Sequence, residues 1–220
     1  MQSIRHAHLP PSFQSSPTSF VSAGGSCAIV PQPADLILTS GHVWTGSPDN
    51  PVAEALAILD RKADVPVILI GSSMGGWLAL HLALERPGRV AGLIGIAAAP
   101  DFTDWGFDDA QRGRLQCDGR IDDGGAGITQ RFWLSGQKML LLEKPIAIDC
   151  PVRLVHGEED REVPLPVAYR LLQQVQSPDL RLTIVKHGGH RLSEPNEIAA
   201  ILDTVAALVE QVQSVTRLPN

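Results

Sequence analysis

An unbroken apolar run, followed at once by a glycine-flanked serine, constrains this chain more than any other feature. Residues 65–70 read VPVILI, and such continuous, β-branched apolar character is typical of a central parallel strand that is covered on both faces. The next residues, GSSMG at 71–75, place glycines on both sides of Ser73, and MGGWLALHLALERP at 74–87 has the character of a helix that Pro87 closes. The sequence therefore predicts a strand, a sharp turn and a helix in direct succession.

This turn is suited to present Ser73 as a nucleophile. A hydroxyl is a weak nucleophile at neutral pH, so hydrolases hold it on a tight strand-to-helix turn beside a base and backbone N–H donors. Gly71 and Gly75 fit that geometry, because side chains there would collide as the strand reverses into the helix. The helix N-terminus directs the backbone N–H of Met74 toward a developing oxyanion. The same spacing also occurs by chance, and it is then only a small-residue turn before a helix.

Apolar strands and amphipathic helices alternate along the rest of the chain. This alternation predicts an α/β fold with an open, mostly parallel sheet and helices on both faces. The predicted strands are 36–38, 65–70, 91–99, 152–157 and 181–187, and the predicted helices are 51–63, 74–87, 165–176 and 195–213.

The interval between Pro100 and Pro151 interrupts this alternation. It contains about fifty residues, whereas typical connections take only a few. We expect an insertion at about 101–148 that is either a cap over the site or a pair of extra helices. Its large aromatic residues would line an acyl site or form plain core, and they are Trp105, Phe107, Phe132 and Trp133.

The chain is predicted to divide into two parts. Residues 1–34 are rich in serine and proline, so no regular element can run far there, and we predict an irregular segment. Residues 35–213 are predicted to form one α/β domain, because 220 residues suffice for a single full core.

An acid and a base follow later strands. In hydrolases of this architecture the partners come in the chain order serine, acid, histidine. His190 follows the strand near 181–187, and the glycines before it give it reach, so it is the candidate base; His187, at the strand end, is its rival. Asp160 follows the strand at 152–157 and is the candidate acid. Three other carboxylates crowd that loop, which is otherwise a solvated acidic turn, and they are Glu158, Glu159 and Glu162.

The other histidines give weaker signals. We expect His156 to shape the acid loop and His81 to serve packing or the surface. His42 follows a short strand and could approach the site, whereas the spacing of His6 and His8 resembles a metal pair only superficially.

Composition excludes several classes of protein. A net charge of -6 with 19% charged residues provides no basic excess for binding nucleic acid. Cys27, Cys117 and Cys150 are widely spaced, so neither a disulfide framework nor a zinc cluster is indicated. Without an apolar run long enough for a bilayer or a secretory signal, the chain is expected to be cytoplasmic. The acid-free, serine-rich first 34 residues also resemble a transit peptide, although Arg5 is their sole basic residue besides histidine.

Four motifs together resemble one branch of the α/β-hydrolase superfamily, over roughly residues 51–210. That branch contains bacterial relatives of a mitochondrial abhydrolase-domain palmitoyl-protein thioesterase, also described as an acyl-glucuronide esterase. The motifs are GSSMGGW at 71–77, GIAAAPDFTDWGF at 95–107, KPIAIDCPVRLVHGEEDREVP at 144–164 and GGHRLS at 188–193.

The resemblance implies a catalytic triad of Ser73, Asp160 and His190. It further implies hydrolysis of carboxylic esters or thioesters through an acyl-serine intermediate, without a metal or an organic cofactor. The partner would be a small-molecule ester or thioester, or an acylated protein.

The N-terminal quarter departs from the family pattern. Of the family's early strands, only Leu36–Leu38 followed by Thr39, Ser40, Gly41 and His42 resembles one, so the first strands are predicted to be incomplete. The second oxyanion donor is left unassigned, with Gly24 and Gly25 as the nearest glycine pair. The alternative to an active esterase is therefore a catalytically impaired hydrolase-fold protein, and an acyltransferase or a lyase would use the same scaffold.

Overall fold

The computed structural model describes residues 67–122 and 127–216. Within these ranges the predicted alternation of strands and helices is confirmed, while the strand predicted at 36–38 and the helix predicted at 51–63 lie outside them. In chain order the elements are β1 (Val67–Ser72), α1 (Met74–Glu85), β2 (Val90–Ile96), α2 (Phe102–Trp105), α3 (Asp109–Asp118), β3 (Arg120–Ile121), β4 (Ile128–Thr129), α4 (Gln130–Gln137), β5 (Val152–Gly157), α5 (Leu165–Gln174), β6 (Leu180–Val185) and α6 (Pro195–Thr216).

The described part of the main sheet is parallel and has the spatial order β1, β2, β5, β6. Gly71 of β1 pairs with Gly95 of β2, which pairs in turn with Leu154 of β5. Parallel pairing brings the carboxyl ends of all these strands to one edge of the sheet. The loops that carry the predicted nucleophile, acid and base all leave from that edge.

Side chains of β1 alternate between the two faces of the sheet, and both faces are covered. Val67 and Leu69 pack in the same core as Leu80 of α1 and Leu171 of α5. Ile68 belongs instead to the core that contains Leu208 of α6. Full burial of one such side chain contributes about 1.5–3 kcal/mol, which explains why the apolar run has no polar positions. Helices on both faces of the sheet are thus confirmed.

The longest described helix, α6, is partly exposed. Leu208 is fully buried against the sheet, whereas Leu202 is 60% exposed on the same helix. No helix in the described ranges is both long and apolar enough to cross a membrane.

Two strands end earlier than predicted. β2 ends at Ile96, although apolar residues continue, because Ala97 has a left-handed φ of 43° that interrupts the extended backbone. β6 ends at Val185, and His187 adopts a φ of 58° two residues later. Both departures bend the chain at the carboxyl edge of the sheet.

Hydrogen bonds join the start and the end of the inserted region. The region contains α2, α3, the antiparallel β3–β4 ribbon and α4. At its start, the carboxylate of Asp101 accepts the N–H groups of Leu141 at 2.8 Å and Leu142 at 2.7 Å. Burial raises the pKa of Asp101, and the backbone donors of Leu142 and Leu141 act in the opposite direction. Asp101 thus connects the beginning and the end of the region. The limits of the insertion at about 101–148, and the domain limits 1–34 and 35–213, stay predictions.

Candidate active site

Ser73 lies in a strained turn between β1 and α1. Its φ of 53° and ψ of -123° are unusual for a residue with a side chain and cost about 1–3 kcal/mol. The surrounding backbone holds it there, because its N–H donates to the Ile96 carbonyl at 2.9 Å and its carbonyl accepts from Ala99 and Gly76 at 3.0 Å each. The turn therefore fixes the direction of the Ser73 side chain.

Glycines allow the turn to close. A Cβ on Gly71 would overlap the backbone carbonyl of Gly75, which agrees with the collision predicted for this pair. Gly76 was not predicted to matter, yet a Cβ there would lie 2.5 Å from the Ala98 Cβ. The helix thus approaches the loop after β2 more closely than the sequence indicated.

The structure brings the three predicted triad residues together. His190 Nε2 lies 3.1 Å from Ser73 Oγ, and its Nδ1 lies 2.9 Å from Asp160 Oδ2. When Nδ1 carries the proton that is shared with Asp160, Nε2 is left to accept the hydroxyl proton of Ser73. This arrangement can perform general base catalysis on a nucleophilic serine.

Backbone donors and a second histidine hold the Asp160 carboxylate in place. Asp160 is buried, and its Oδ1 accepts the N–H groups of Glu162 at 2.9 Å and Val163 at 2.8 Å. His156 Nε2 donates to the Val163 carbonyl at 2.9 Å and lies 3.5 Å from Asp160 Oδ2. The contacts of His156 agree with its predicted role in shaping the acid loop.

The neighbouring carboxylates face a different set of partners. Glu158 accepts a hydrogen bond from Lys186 Nζ at 2.6 Å. This hydrogen bond is the main reason that the pKa of Glu158 is lowered. His187 Nδ1 lies 2.8 Å from Glu159 Oε1, with the His187 side chain 70% exposed. His187 thus pairs with surface acids, whereas His190 contacts Ser73 and Asp160.

These surface acids also form a group that could hold a metal ion. Ligand atoms of Glu158, Glu159 and His187 lie within 4.8 Å of one another. Exposed acidic groups are common without a bound ion, and Lys186 already pairs with Glu158. None of the three residues lines the cavity beside Ser73.

A cavity of about 300 Å³ opens onto Ser73 and His190. Its wall is mainly apolar and aromatic, and Trp105 is fixed there because its Nε1 donates to the Pro100 carbonyl at 2.8 Å. The lining residues are Ser73, Met74, Ala99, Phe102, Trp105, Gly106, Phe107, Ile128, Glu162, Val163 and His190.

The aromatic residues of the insertion divide between cavity and support. Trp105 and Phe107 line the cavity, as the cap interpretation expected. Phe132 instead packs behind Phe102, with ring centroids 5.9 Å apart, and Trp133 Nε1 donates to the Thr103 carbonyl at 2.8 Å. The insertion is therefore both a wall of the cavity and a small core of its own.

His81 supports this wall from behind. Its Nε2 contacts the Met139 carbonyl at 3.0 Å, and its ring lies 5.9 Å from that of Trp77. Burial lowers the pKa of His81, which is consistent with a packed histidine. The packing role, one of the two predicted for His81, is the one its contacts support.

Met74 is positioned to donate to an oxyanion. It begins α1 directly after Ser73 and lines the cavity, and the first N–H groups of a helix have no intrahelical acceptor. No second donor was predicted. Gly24, Gly25, His6, His8 and His42 lie outside the described residues.

Two residues that line the cavity were not assigned to the site from the sequence. Glu162 Oε2 lies 3.7 Å from His190 Nε2, although in the sequence Glu162 was only one of the carboxylates that crowd the acid loop. Phe102 lines the cavity beside Ser73 and begins α2. Its place in the motif GIAAAPDFTDWGF at 95–107 was the available signal.

Known proteins with similar sequences are hydrolases. The family model described as alpha/beta hydrolase fold matches residues 50–120, which include Ser73. The mitochondrial palmitoyl-protein thioesterase ABHD10 of Rattus norvegicus is 35% identical over 190 residues, or 78% of this chain and 64% of the relative. The Homo sapiens protein of that name is 32% identical over 172 residues, or 74% of this chain and 56% of the relative. The chain thus spans less than two thirds of the length of these relatives.

Two solved structures resemble this chain in both fold and sequence. The alpha/beta hydrolase domain-containing protein 10 from mouse has a TM-score of 0.69 and 32% identity, covering 75% of this chain and 70% of that one. A protein from Agrobacterium vitis has a TM-score of 0.67 and 32% identity, covering 77% of this chain and 71% of that one.

Proposed function

This chain belongs to the α/β-hydrolase family, and on that basis we propose that it is a serine hydrolase that cleaves carboxylic esters or thioesters. The observation that carries the proposal is His190, whose two ring nitrogens contact Ser73 and Asp160 at the edge of the cavity. Serine, histidine and aspartate that contact one another in this order can catalyse acyl transfer to the serine.

In the acylation step, His190 Nε2 takes the proton of Ser73 as Oγ attacks the substrate carbonyl carbon. The negative charge that develops on the carbonyl oxygen faces the N–H of Met74. One such donor contributes about 3 kcal/mol of transition-state stabilisation. His190 then gives its proton to the departing oxygen or sulfur, which leaves an acyl-Ser73 ester.

In the deacylation step, His190 accepts a proton from a water molecule that attacks the acyl carbon. Collapse of the second tetrahedral intermediate returns that proton to Ser73 Oγ and releases a carboxylic acid. Asp160 keeps the His190 ring in one tautomer and offsets the imidazolium charge in both steps.

The apolar side of the cavity is suited to an acyl group. Phe102, Trp105 and Phe107 lie on its wall, so an acyl chain would lose water-exposed apolar surface when it enters. The palmitoyl-protein thioesterase name of the relatives supports a thioester substrate, and the motif resemblance adds an acyl glucuronide as a second ester class. An acylated protein or a small acylated molecule would each present the required carbonyl.

Turnover of a p-nitrophenyl ester and of an acyl thioester tests this proposal. Wild type should hydrolyse at least one of them, and Ser73→Ala and His190→Ala should each abolish turnover. Ser72→Ala is the matched control, since it removes a neighbouring hydroxyl that does not contact His190, and it should stay active. A folded wild-type protein without turnover would contradict the proposal and favour the impaired hydrolase scaffold.

A further inference from the structure

Glu162 brings a carboxylate into the cavity beside His190. Its backbone is fixed by the acid loop, because its N–H donates to Asp160 Oδ1 at 2.9 Å. Its side chain is 68% exposed and lines the cavity, and its Oε2 lies 3.7 Å from His190 Nε2. The carboxylate is therefore adjacent to the same nitrogen that faces Ser73 Oγ.

No lysine or arginine in the described ranges lines the cavity to balance this charge. The surrounding wall consists largely of apolar groups, among them Met74, Phe107 and Val163. An anionic group that entered beside Glu162 would meet a like charge, whereas a cationic group would be attracted. Because the carboxylate is largely exposed, solvent screens this effect without removing it.

We propose that Glu162 selects the leaving group by charge. Cationic alcohols and thiols are favoured as leaving groups over anionic ones, so an acyl glucuronide, whose leaving sugar carries a carboxylate, is a poorer substrate than a cationic thioester. The inference rests on the proposed function, because the leaving oxygen or sulfur takes its proton from His190 Nε2 as its bond to the acyl carbon breaks. Atoms attached to that oxygen or sulfur consequently extend into the space beside Glu162. The substrate class is an acyl ester or thioester of a positively charged alcohol or thiol.

A set of three thioesters with one common short acyl chain tests the inference. The leaving groups are a quaternary ammonium thiol, its neutral tert-butyl isostere and a sulfonate thiol of similar length. Any effect of Glu162 on the basicity of His190 acts on all three reactions. The change in the kcat/KM ratio from wild type to a Glu162 variant therefore isolates the effect of leaving-group charge, because differences in the intrinsic reactivity of the three thioesters cancel in that comparison.

Wild type should prefer the cationic over the anionic thioester by about tenfold or more at low salt, and added salt should reduce this ratio. Glu162→Gln should reduce the ratio toward one, Glu162→Lys should invert it and Glu162→Asp should retain it. Glu159→Gln is the matched control, because it removes one charge from the same loop outside the cavity. That variant should keep the wild-type ratio.

An unchanged ratio in Glu162→Gln would overturn the inference. Equal rates of wild type on all three thioesters would overturn it as well, while leaving the proposed hydrolase activity intact. A folded wild type that hydrolyses none of the three would instead overturn the proposed function together with this inference.

Discussion

At the level of single residues, position in the loop separates Asp160 from the acidic residues around it. Its carboxylate has no exposed surface and accepts two backbone N–H groups on Oδ1, which leaves Oδ2 directed at His190. Glu159, one residue earlier, is exposed and pairs with His187. Adjacent residues on one loop thus have separate roles.

Replacing Asp160 tests this separation. Asp160→Asn should retain the fold but lower kcat by about three to four orders of magnitude, because an amide N–H facing Nδ1 favours the wrong tautomer of His190. Esterase kinetics, with circular dichroism as a check on folding, would measure this. Glu159→Gln should stay close to wild type, and an Asp160→Asn enzyme within tenfold of wild type would argue against the assigned role.

Chain order and motif spacing allowed Ser73 and His190 to be selected, whereas the family resemblance distinguished Asp160 from the other carboxylates of its loop. Glu162 could not be assigned in the same way. Its proximity to His190 depends on its side-chain conformation, which the pattern of the sequence does not specify. Asp101 was missed for a similar reason, since its partners, Leu141 and Leu142, lie about forty residues further along the chain.

At the level of elements, close packing of α1 on the loop after β2 holds the nucleophile turn. Gly76 faces Ala98 where the helix begins, and Ala99 donates to the Ser73 carbonyl. The predicted strand at 91–99 missed this contact, because a run of alanines does not show that Ala97 turns to a positive φ. By contrast, β5 has the bounds predicted for it, Val152–Gly157.

Two glycine substitutions in helices should therefore have opposite effects. Gly76→Ala should reduce the free energy of unfolding by about 1–3 kcal/mol, because its Cβ would force apart a filled contact. Gly113→Ala in α3 meets nothing within 4 Å, so the alanine should instead stabilise the protein, by about 0.5–1 kcal/mol. Urea denaturation would measure both changes. Equal effects of the two substitutions would contradict the packing described here.

At the level of the whole molecule, a half-buried ion pair joins the amino end of β5 to the last helix. Arg153 of β5 donates to Asp179 Oδ2 at 2.9 Å and to Gln211 Oε1 of α6 at 2.8 Å. Hydrogen bonds from Arg153 and then Gln211 lower the pKa of Asp179 to about 2. The charged carboxylate thus contributes stability above its ordinary pKa of 3.8, and this contribution is lost as the pH falls toward about 2.

Removing this charge should lower the free energy of unfolding more near neutral pH than in acid. Asp179→Asn should lower the free energy of unfolding by about 1–2 kcal/mol near pH 7, with a smaller difference from wild type near pH 3. Urea titrations at both pH values would measure the difference. Asp109→Asn, at a fully exposed position, is the control and should have little effect at either pH. A constant difference across the pH range would contradict the role of the Asp179 charge.

The global architecture was predictable because alternating apolar segments specify a parallel α/β sheet almost by themselves. How the insertion covers the site was not predictable, since it depends on long-range contacts such as Trp133 to Thr103. The cytoplasmic location stays a prediction from the sequence. The second oxyanion donor stays unassigned, because its candidates lie outside the described residues.

The central claim is that Ser73 is the nucleophile, and covalent labelling tests it most directly. The folded protein would be treated with a fluorophosphonate probe and digested, and the modified residue would be located by mass spectrometry. The adduct is predicted on Ser73, with labelling retained in Ser72→Ala and lost in Ser73→Ala. An adduct on another residue, or no adduct on folded wild type, would contradict the claim.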